Sequence, residues 1–168
     1  MTKTELKDLT YQINGAAIDV HKELGPGLLE SIYHKCLEFE LWLRGINFKT
    51  ELVIPIRYKA MELDVNLRCD LYVEDCIVVE LKTVETLIPV HDAQVMSYMK
   101  LLNASKGIFY NFKSQNLYKH GQRTYVNRLF EALEEGWHIE RKNWIAFVYR
   151  CLLNHKRNEL NNSSLLIR

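Results

Sequence analysis

RCDLYVEDCIVVELK, residues 68–82, is the stretch on which the predicted fold depends. Residues 71–73 and 76–79 are apolar and rich in β-branched or aromatic side chains, as buried strands are. The polar pair at positions 74 and 75 between them predicts a tight turn. The stretch is therefore predicted to form a β-hairpin with two buried arms.

Three charged side chains, Asp70, Glu80 and Lys82, interrupt this hairpin near its open end. Residues two apart on a strand project to the same side, so Glu80 and Lys82 share a face. A turn at positions 74 and 75 places Asp70 roughly opposite residue 79 or 80. The three charges are therefore expected to converge, and their burial is costly unless they pair with one another or hold a metal ion.

Two carboxylates beside a lysine suit the hydrolysis of phosphodiester bonds. Carboxylate oxygens hold Mg²⁺ or Mn²⁺, and the backbone carbonyl of Leu81 is one further possible ligand. The metal offsets the negative charge that develops on phosphorus and lowers the pKa of a bound water. Lys82 stays charged beside the carboxylates and positions that water or stabilises the transition state. The alternative is a structural cross-strand ion pair between Asp70 and Lys82.

The totals are those of an ordinary soluble domain. A chain of 168 residues, 48% apolar and 26% charged, can form one domain with a sizeable core. No apolar run approaches the ~20 residues of a membrane span and no signal sequence begins the chain, so a cytoplasmic protein without a membrane partner is expected. The four cysteines have no CxxC spacing and are expected to be reduced, packed thiols.

Charge is distributed unevenly along the chain. The net charge is +1, but residues 141–168 hold six Lys or Arg and one Glu, so this tail carries +5 and the preceding 140 residues carry −4. A polyanion must therefore be attracted by a local arrangement of charges or by the tail.

Helical spacing dominates the first part of the chain. Apolar residues at steps of three and four predict a helix over residues 4–24, and Gly25-Pro26-Gly27 ends it. A second helix is predicted up to Gly45, with Glu30 in its first turn. Its predicted apolar stripe is Leu29, Ile32, Tyr33, Cys36, Leu37 and Leu41.

The period then changes to that of strands. Residues 47–58 are predicted to be extended, 59–62 to turn and 63–67 to form a strand that leads into the hairpin. Further along, the sequence predicts a helix over 90–102 with an apolar stripe at Val95, Met96, Met99 and Leu102, an interior strand over 106–112, and a helix over 125–133. A meander followed by a helical crossover predicts an α/β fold, a central mixed β-sheet flanked by helices.

Four motifs carry a resemblance to a known family. Asp70 with Glu80-Leu81-Lys82 resembles the D…ExK core of the PD-(D/E)XK nuclease superfamily, whose fold is restriction-endonuclease-like. GLLESIY at residues 27–33 is an intact GxxExxY, the signature of the GxxExxY protein family, a branch of that superfamily. The similarity continues through residues 15–41, 68–85 and 89–102 to roughly Asn127.

This resemblance implies a role for each matching residue. Asp70 and Glu80 match the metal-binding pair, and Lys82 matches the catalytic lysine. Glu30 matches the acid of the first core helix, which adds to or supports the metal site. Gln94, spaced QxxxY with Tyr98, is similar to the motif of the RecB-type nucleases, in which the glutamine lies beside the metal.

Other interpretations stand beside these. Glu30 also suits a helix N-terminus, where an acid is favoured by the dipole. Gln94 and Tyr98 share a helix face that is either functional or a solvated edge. Arg68, two residues before Asp70, either contacts a phosphate of the substrate or neutralises the carboxylates.

The sequence predicts two regions and one main function. Residues 1–130 are predicted to form the nuclease-like domain, and residues 131–168 a helical, basic C-terminal extension that packs on the domain, forms a homodimer or protein contact, or meets nucleic acid. The predicted function is a Mg²⁺- or Mn²⁺-dependent nuclease acting on DNA. The alternatives are a non-catalytic binding module of a repair or defence complex and a structural or dimerising protein.

Overall fold

The computed structural model describes residues 1–136, which form a five-stranded sheet with helices on both faces. The bounds are α1 Lys3–Leu24, α2 Glu30–Leu43, β1 Phe48–Tyr58, β2 Met61–Val73, β3 Ile77–Lys82, α3 Pro89–Leu101, β4 Lys106–Asn111, a π-helical turn Leu117–Gly121, β5 Gln122–Val126 and α4 Arg128–Glu131. The predicted α/β architecture is therefore confirmed.

Local chemistry explains where α1 begins and ends. The Thr2 side chain accepts a hydrogen bond from the Glu5 amide, and the Glu5 carboxylate accepts one from the Thr2 amide. This capping box satisfies two amides that the helix leaves free. The helix stops at Gly25, whose φ of +68° is one that glycine adopts without steric cost.

The strands lie in the order β1-β2-β3-β4-β5, so β3 is the middle strand. β1, β2 and β3 form an antiparallel meander, β3 and β4 are parallel, and β5 returns antiparallel to β4. The parallel pair requires a crossover, which α3 provides. Every residue of β4 is buried, Lys106 and Asn111 included, as the consecutive apolar residues between them predict for an interior strand.

Each face of the sheet covers its own apolar core. On one face, α1 and α2 pack against Leu71, Val79 and Tyr110. On the other face, α3 packs against Val78 and Phe109. Because side chains alternate along β3, Glu80 and Lys82 lie on the side of the sheet that α3 covers.

The helix predicted over residues 125–133 is wrong in its first part. Gln122–Val126 is a strand, β5, in register with β4 at Lys106↔Val126. Only Arg128–Glu131 is helical, and it starts where the Asn127 side chain accepts hydrogen bonds from the amides of Leu129 and Phe130. The apolar pattern of this segment is too short to distinguish a helix from a strand, and hydrogen bonding to β4 makes residues 122–126 a strand.

Two further predictions need correction. The strand predicted over 63–67 and the first arm of the hairpin are one continuous strand of 13 residues, β2. In the apolar stripes, Leu29 lies just before α2 and is 71% exposed, Ile32 is exposed, and Met96 on α3 is exposed. Tyr98 is buried on α3 instead. An amphipathic ring suits this position, because α3 packs between the charged groups of β3 and the apolar core.

Other expectations concern the chain as a whole. Within residues 1–136, no helix is long and apolar enough to cross a membrane. The cysteines of this part, Cys36, Cys69 and Cys76, are free thiols. The compact unit Met1–Glu134 contains all the elements above. Residues 137–168 of the predicted C-terminal extension lie outside the described residues, and the division at residue 130 stays a prediction.

α3 packs closely on Gly107 of β4, and this contact yields a test of the fold. A Cβ atom at Gly107 would lie 2.5 Å from Cγ1 of Val95, a β-branched side chain with little rotamer freedom. We expect Gly107→Ala to lower the free energy of unfolding by about 1–3 kcal/mol, as overpacked cores do.

Gly15 is the matched control for this substitution. It lies in α1, and its nearest atom to a Cβ is Nη1 of Arg44 at 3.4 Å. Gly15→Ala should therefore raise the free energy of unfolding by about 0.5–1 kcal/mol, because alanine is the better helix former. Urea unfolding measures both, and two changes of the same sign would contradict the packing described.

Candidate active site

The centre of the site is an ion pair at the C-terminal end of β3. Glu80 is 1% exposed, and its Oε1 accepts a hydrogen bond from Nζ of Lys82 at 2.8 Å. Nζ of Lys82 also donates to the backbone carbonyl of Leu81 at 2.9 Å. Both side chains project from the same face of the middle strand, as their spacing predicts.

Asp70 joins this pair from β2. Its Oδ2 accepts a hydrogen bond from the amide of Leu81 at 2.8 Å and lies 4.0 Å from Nζ of Lys82. The register between β2 and β3 ends at Leu71↔Val79. The Asp70 side chain thus binds a β3 amide just beyond the last paired residues, where the two strands separate.

Glu30, the first residue of α2, approaches from the other helical layer. Its Oε2 accepts a hydrogen bond from the amide of Thr83 at 3.2 Å, and its Oε1 lies 3.5 Å from Nζ of Lys82. The ammonium of Lys82 therefore lies within 4.0 Å of the carboxylates of Glu30, Asp70 and Glu80. The four residues predicted to carry the chemistry are brought together.

Tyr33 holds the loop that positions Glu30. Its hydroxyl donates to the carbonyl of Gly25 at 2.6 Å and accepts from the amide of Leu28 at 3.1 Å. Its ring is fully buried and stacks on Phe112 with centroids 4.5 Å apart. Tyr33, the tyrosine of the GxxExxY motif, thus fixes the loop before α2. This loop in turn positions Glu30, the glutamate of the motif.

The electrostatics follow from burial and proximity. Burial, and after it the negative charge of Asp70, raise the pKa of Glu80, Lys82 opposes both, and the net result is a pKa of about 7. Burial lowers the pKa of Lys82, but the neighbouring carboxylates, Glu80 first, outweigh it and leave this pKa above its usual value. Lys82 is therefore charged at neutral pH while Glu80 is partly protonated.

The donor set suits a hard divalent cation. Oε2 of Glu80 is buried and has no hydrogen-bond partner among the described residues. The carboxylates of Glu30 and Asp70 and the carbonyl of Leu81 are nearby oxygen donors of the type that Mg²⁺ and Mn²⁺ prefer. Within residues 1–136 no group of three His, Cys, Asp or Glu side chains is close enough to form a complete metal site. The Lys82 ammonium lies among these carboxylates.

Gln94 and Tyr98 form a pair on α3. Nε2 of Gln94 donates to the Tyr98 hydroxyl at 2.9 Å, so the predicted shared face is confirmed. Burial raises the pKa of Tyr98, the hydrogen bond from Gln94 opposes this, and the charges of Glu80 and Asp70 raise it further. The pair therefore lies within electrostatic reach of the carboxylates.

Arg68 is not brought into this cluster. Its side chain is 65% exposed, and its Nη1 lies 3.6 Å from the carboxylate of Glu51. Glu51 and Asp70 both line a cavity of about 250 Å³ at the surface. The other residues that line it are Glu30, Ser31, His34 and Lys35. Arg68 thus neutralises a neighbour of the site, and the interpretation that it neutralises the site's own carboxylates is not supported.

Two residues that support the site were missed in the sequence. Nε2 of His34 lies 3.1 Å from the backbone carbonyl of Asp70. The side-chain amide of Asn111, at the end of β4, accepts a hydrogen bond from the Val84 backbone amide and donates one to the Val84 carbonyl. His34 lies one helical turn after Glu30, a spacing that could have identified it. No sequence pattern identifies Asn111, because its partner Val84 is distant in the sequence and only the folded structure brings the two together.

Comparison with known proteins identifies the class. The family model of the PD-(D/E)XK nuclease superfamily matches residues 7–129, which is most of the chain. The chain therefore belongs to the PD-(D/E)XK nuclease superfamily. Its members are generally nucleases, and they typically use divalent metal ions. Membership of the GxxExxY branch stays a prediction.

Among solved structures, one described as "Crystal structure of SSO0001" is similar, with a TM-score of 0.44 and 22% sequence identity. The alignment covers 60% of this chain and 55% of that one, so the chain spans about half the length of that protein. No curated protein matches the chain.

The shifted pKa of Glu80 is directly testable. In metal-free protein, a ¹³C-NMR titration of the Glu80 carboxyl should give a midpoint near 7. Asp70→Asn should lower this pKa because it removes a negative neighbour, and Lys82→Met should raise it because it removes the compensating cation. A midpoint near the ordinary value of 4.5, unmoved by either substitution, would contradict the proposed coupling.

Proposed function

We propose that the protein is a metal-dependent nuclease that hydrolyses phosphodiester bonds in DNA, with Mg²⁺ or Mn²⁺ as its cofactor. The observation that carries the proposal is Glu80. It is a carboxylate buried in the middle strand, with one oxygen that lacks a hydrogen-bond partner among the described residues. A buried polar atom of this kind is costly in a purely structural ion pair, and a bound cation would satisfy it.

The residues that would hold the ion are Asp70 and Glu80, with Glu30 as an additional or supporting ligand and the Leu81 carbonyl beside them. When bound, a divalent cation offsets negative charge on the phosphate and makes a water a stronger nucleophile at neutral pH. Asp70 is oriented for this role by the Leu81 amide, which leaves its second carboxylate oxygen available.

Lys82 supplies a positive charge that does not depend on the ion. Because the surrounding carboxylates keep it protonated, its Nζ can donate to an attacking water or to a phosphate oxygen. Its side chain is largely buried, which strengthens its interaction with a developing negative charge. Gln94 and Tyr98 on α3 would position groups beside the ion.

A second function is favoured by one observation. The 140 residues before the basic tail carry a net charge of −4, whereas an autonomous nuclease usually offers a positive track to its substrate. The alternative is therefore a binding module that keeps the nuclease fold and acts within a repair or defence complex. Divalent-ion binding without cleavage of any nucleic acid would favour this alternative.

Metal binding gives the first test. Glu80→Gln should weaken Mn²⁺ binding at least ~100-fold, because it removes a ligand and even supporting residues of metal sites contribute ~10–100-fold. Binding should tighten as pH rises from 6 to 8, because the ion displaces the proton from Glu80, whose metal-free pKa is about 7. Isothermal titration calorimetry in buffers of different ionisation enthalpy measures both the affinity and the released proton.

Glu23→Gln is the matched control for this measurement, since Glu23 is an exposed glutamate of α1. It should leave the affinity for Mn²⁺ and the released proton unchanged. Mn²⁺ binding that Glu80→Gln leaves intact would mean that the ion binds elsewhere.

Cleavage gives the second test. With Mg²⁺ or Mn²⁺ present, Lys82→Met should slow the hydrolysis of DNA by ~10²–10³-fold, the usual effect of removing one donor that stabilises transition-state charge. The affinity for Mn²⁺ should not fall in this variant, because lysine competes with the ion for the same carboxylates. A structural ion pair predicts instead that stability and activity fall together.

Lys113→Met is the control, because Lys113 forms a surface ion pair with Glu85. It should cleave at the rate of the unmodified protein. If the unmodified protein cleaves no single- or double-stranded DNA or RNA with either ion, and binds no ion that Asp70→Ala or Glu80→Ala removes, the proposal fails.

A further inference from the structure

A two-stranded ribbon extends beyond the sheet. β1 and β2 pair from Phe48↔Val73 to Tyr58↔Met61, whereas β2 and β3 pair only over residues 71–73 of β2. Residues 55–66, here called the β-ribbon, include no buried residue. β3 pairs with the edge of β2 only next to the β2–β3 turn. Among the described elements, no strand pairs with this edge of β2 along the β-ribbon.

The β-ribbon begins at the candidate active site. β2 separates from β3 at Asp70, whose side chain binds the amide of Leu81. At a rise of about 3.3 Å per residue, Met61 at the tip lies at most about 30 Å from Asp70 along the strand. The β-ribbon thus contains the N-terminal part of β2, whereas Asp70 lies nearer its C-terminal end, beside the residues that pair with β3.

The β-ribbon exposes three large apolar side chains. Tyr58 is 60% exposed, Met61 56% and Val65 62%. A two-stranded hairpin without a third strand or a helix against it is only marginally stable. These exposed side chains are available for contact with a partner.

The outer edge of the β-ribbon, formed by β1, does not suit strand addition by another protein. β1 is an edge strand, and Pro55 within it has no amide hydrogen to offer to a further strand. The register also shifts between Pro55 and Arg57, which interrupts the edge. Both features are devices by which edge strands avoid pairing with other chains.

The tip instead combines two cations with an aromatic ring, whereas the two acids of the β-ribbon, Glu62 and Asp64, follow along β2 and bring the net charge of residues 55–66 to zero. Arg57, Tyr58 and Lys59 are consecutive, and Nζ of Lys59 lies 5.4 Å from the centroid of the Tyr58 ring. Nη2 of Arg57 lies 3.9 Å from the Glu62 carboxylate, but both side chains are largely exposed, so the pair is weak and a phosphate can replace it. Cations with an aromatic side chain are the usual means of contacting a nucleic-acid backbone and its bases.

We propose that the β-ribbon is a nucleic-acid-binding arm that contacts a DNA duplex up to about 30 Å from the cleaved phosphate. The inference rests on the proposed function, because it takes the substrate to be DNA. A duplex has one base pair per about 3.4 Å, so the tip reaches about nine base pairs from the active site. A two-stranded ribbon is also an element that the major groove admits.

Binding of duplexes of two lengths tests this arm. Fluorescence anisotropy in EDTA, which prevents cleavage, measures the affinity for duplexes of 8 and 30 base pairs. The double variant Tyr58→Ala/Lys59→Ala should bind the 30-base-pair duplex about tenfold more weakly and the 8-base-pair duplex nearly normally. Its slope of log K against log salt on the long duplex should fall by ~0.9, because one phosphate contact is lost.

The matched control is Lys7→Ala/Tyr11→Ala, which removes an exposed lysine and an exposed tyrosine from the outer face of α1. It should bind both duplexes like the unmodified protein. Circular dichroism and Mn²⁺ binding verify that each variant is folded.

Equal binding of the long duplex by the ribbon variant and the control would overturn the inference. So would an unmodified protein that binds neither duplex, or a ribbon variant that changes the mass measured by light scattering, which would identify the arm as a contact between copies. Because these measurements need no cleavage, a protein that binds through the arm without hydrolysing DNA would contradict the proposed function alone.

Discussion

The ion pair between Glu80 and Lys82 is the constraint on which the rest of the site depends. An almost fully buried carboxylate in the middle of a sheet is unfavourable unless charge and hydrogen bonds compensate it. One ammonium at 2.8 Å compensates it in part, and that ammonium in turn faces Glu30 and Asp70. Lys82 therefore interacts with acidic residues of both α2 and β2.

Asp70 has two consequences for the fold. By accepting the Leu81 amide it takes the place of a backbone acceptor just past the last pair between β2 and β3. Beyond this point β2 pairs with β1 alone, and these two strands continue as the β-ribbon. The candidate site thus lies where the pairing of β2 with β3 ends.

Local sequence patterns were sufficient to predict the fold class and the core of the candidate site. The alternation along β3 predicted that Glu80 and Lys82 share a face, and the turn at positions 74 and 75 predicted that Asp70 lies opposite, because strand geometry has a strict period of two. The fold class followed from the order of helical and strand periods. Charged residues inside a buried strand were the signal for the site.

Long-range contacts were not encoded in any local pattern. β5 reads QRTYV, which has no apolar alternation, and it is a strand because it pairs with β4. The interaction of Arg68 with Glu51 joins two strands across the sheet, so neighbours in the sequence could not indicate it. Asn111 supports the segment after β3 from the end of another strand, and only the tertiary structure brings the two together.

The most direct test of the central claim is anomalous diffraction from crystals soaked in Mn²⁺. We expect an anomalous peak within bonding distance of carboxylate oxygens of Asp70 and Glu80, with Nζ of Lys82 moved away from the Glu80 oxygen that it contacts in the present structure. The same soak of Glu80→Gln crystals should give no peak at this position. A site without a peak in the unmodified protein, with the Glu80–Lys82 ion pair unchanged at saturating Mn²⁺, would contradict it.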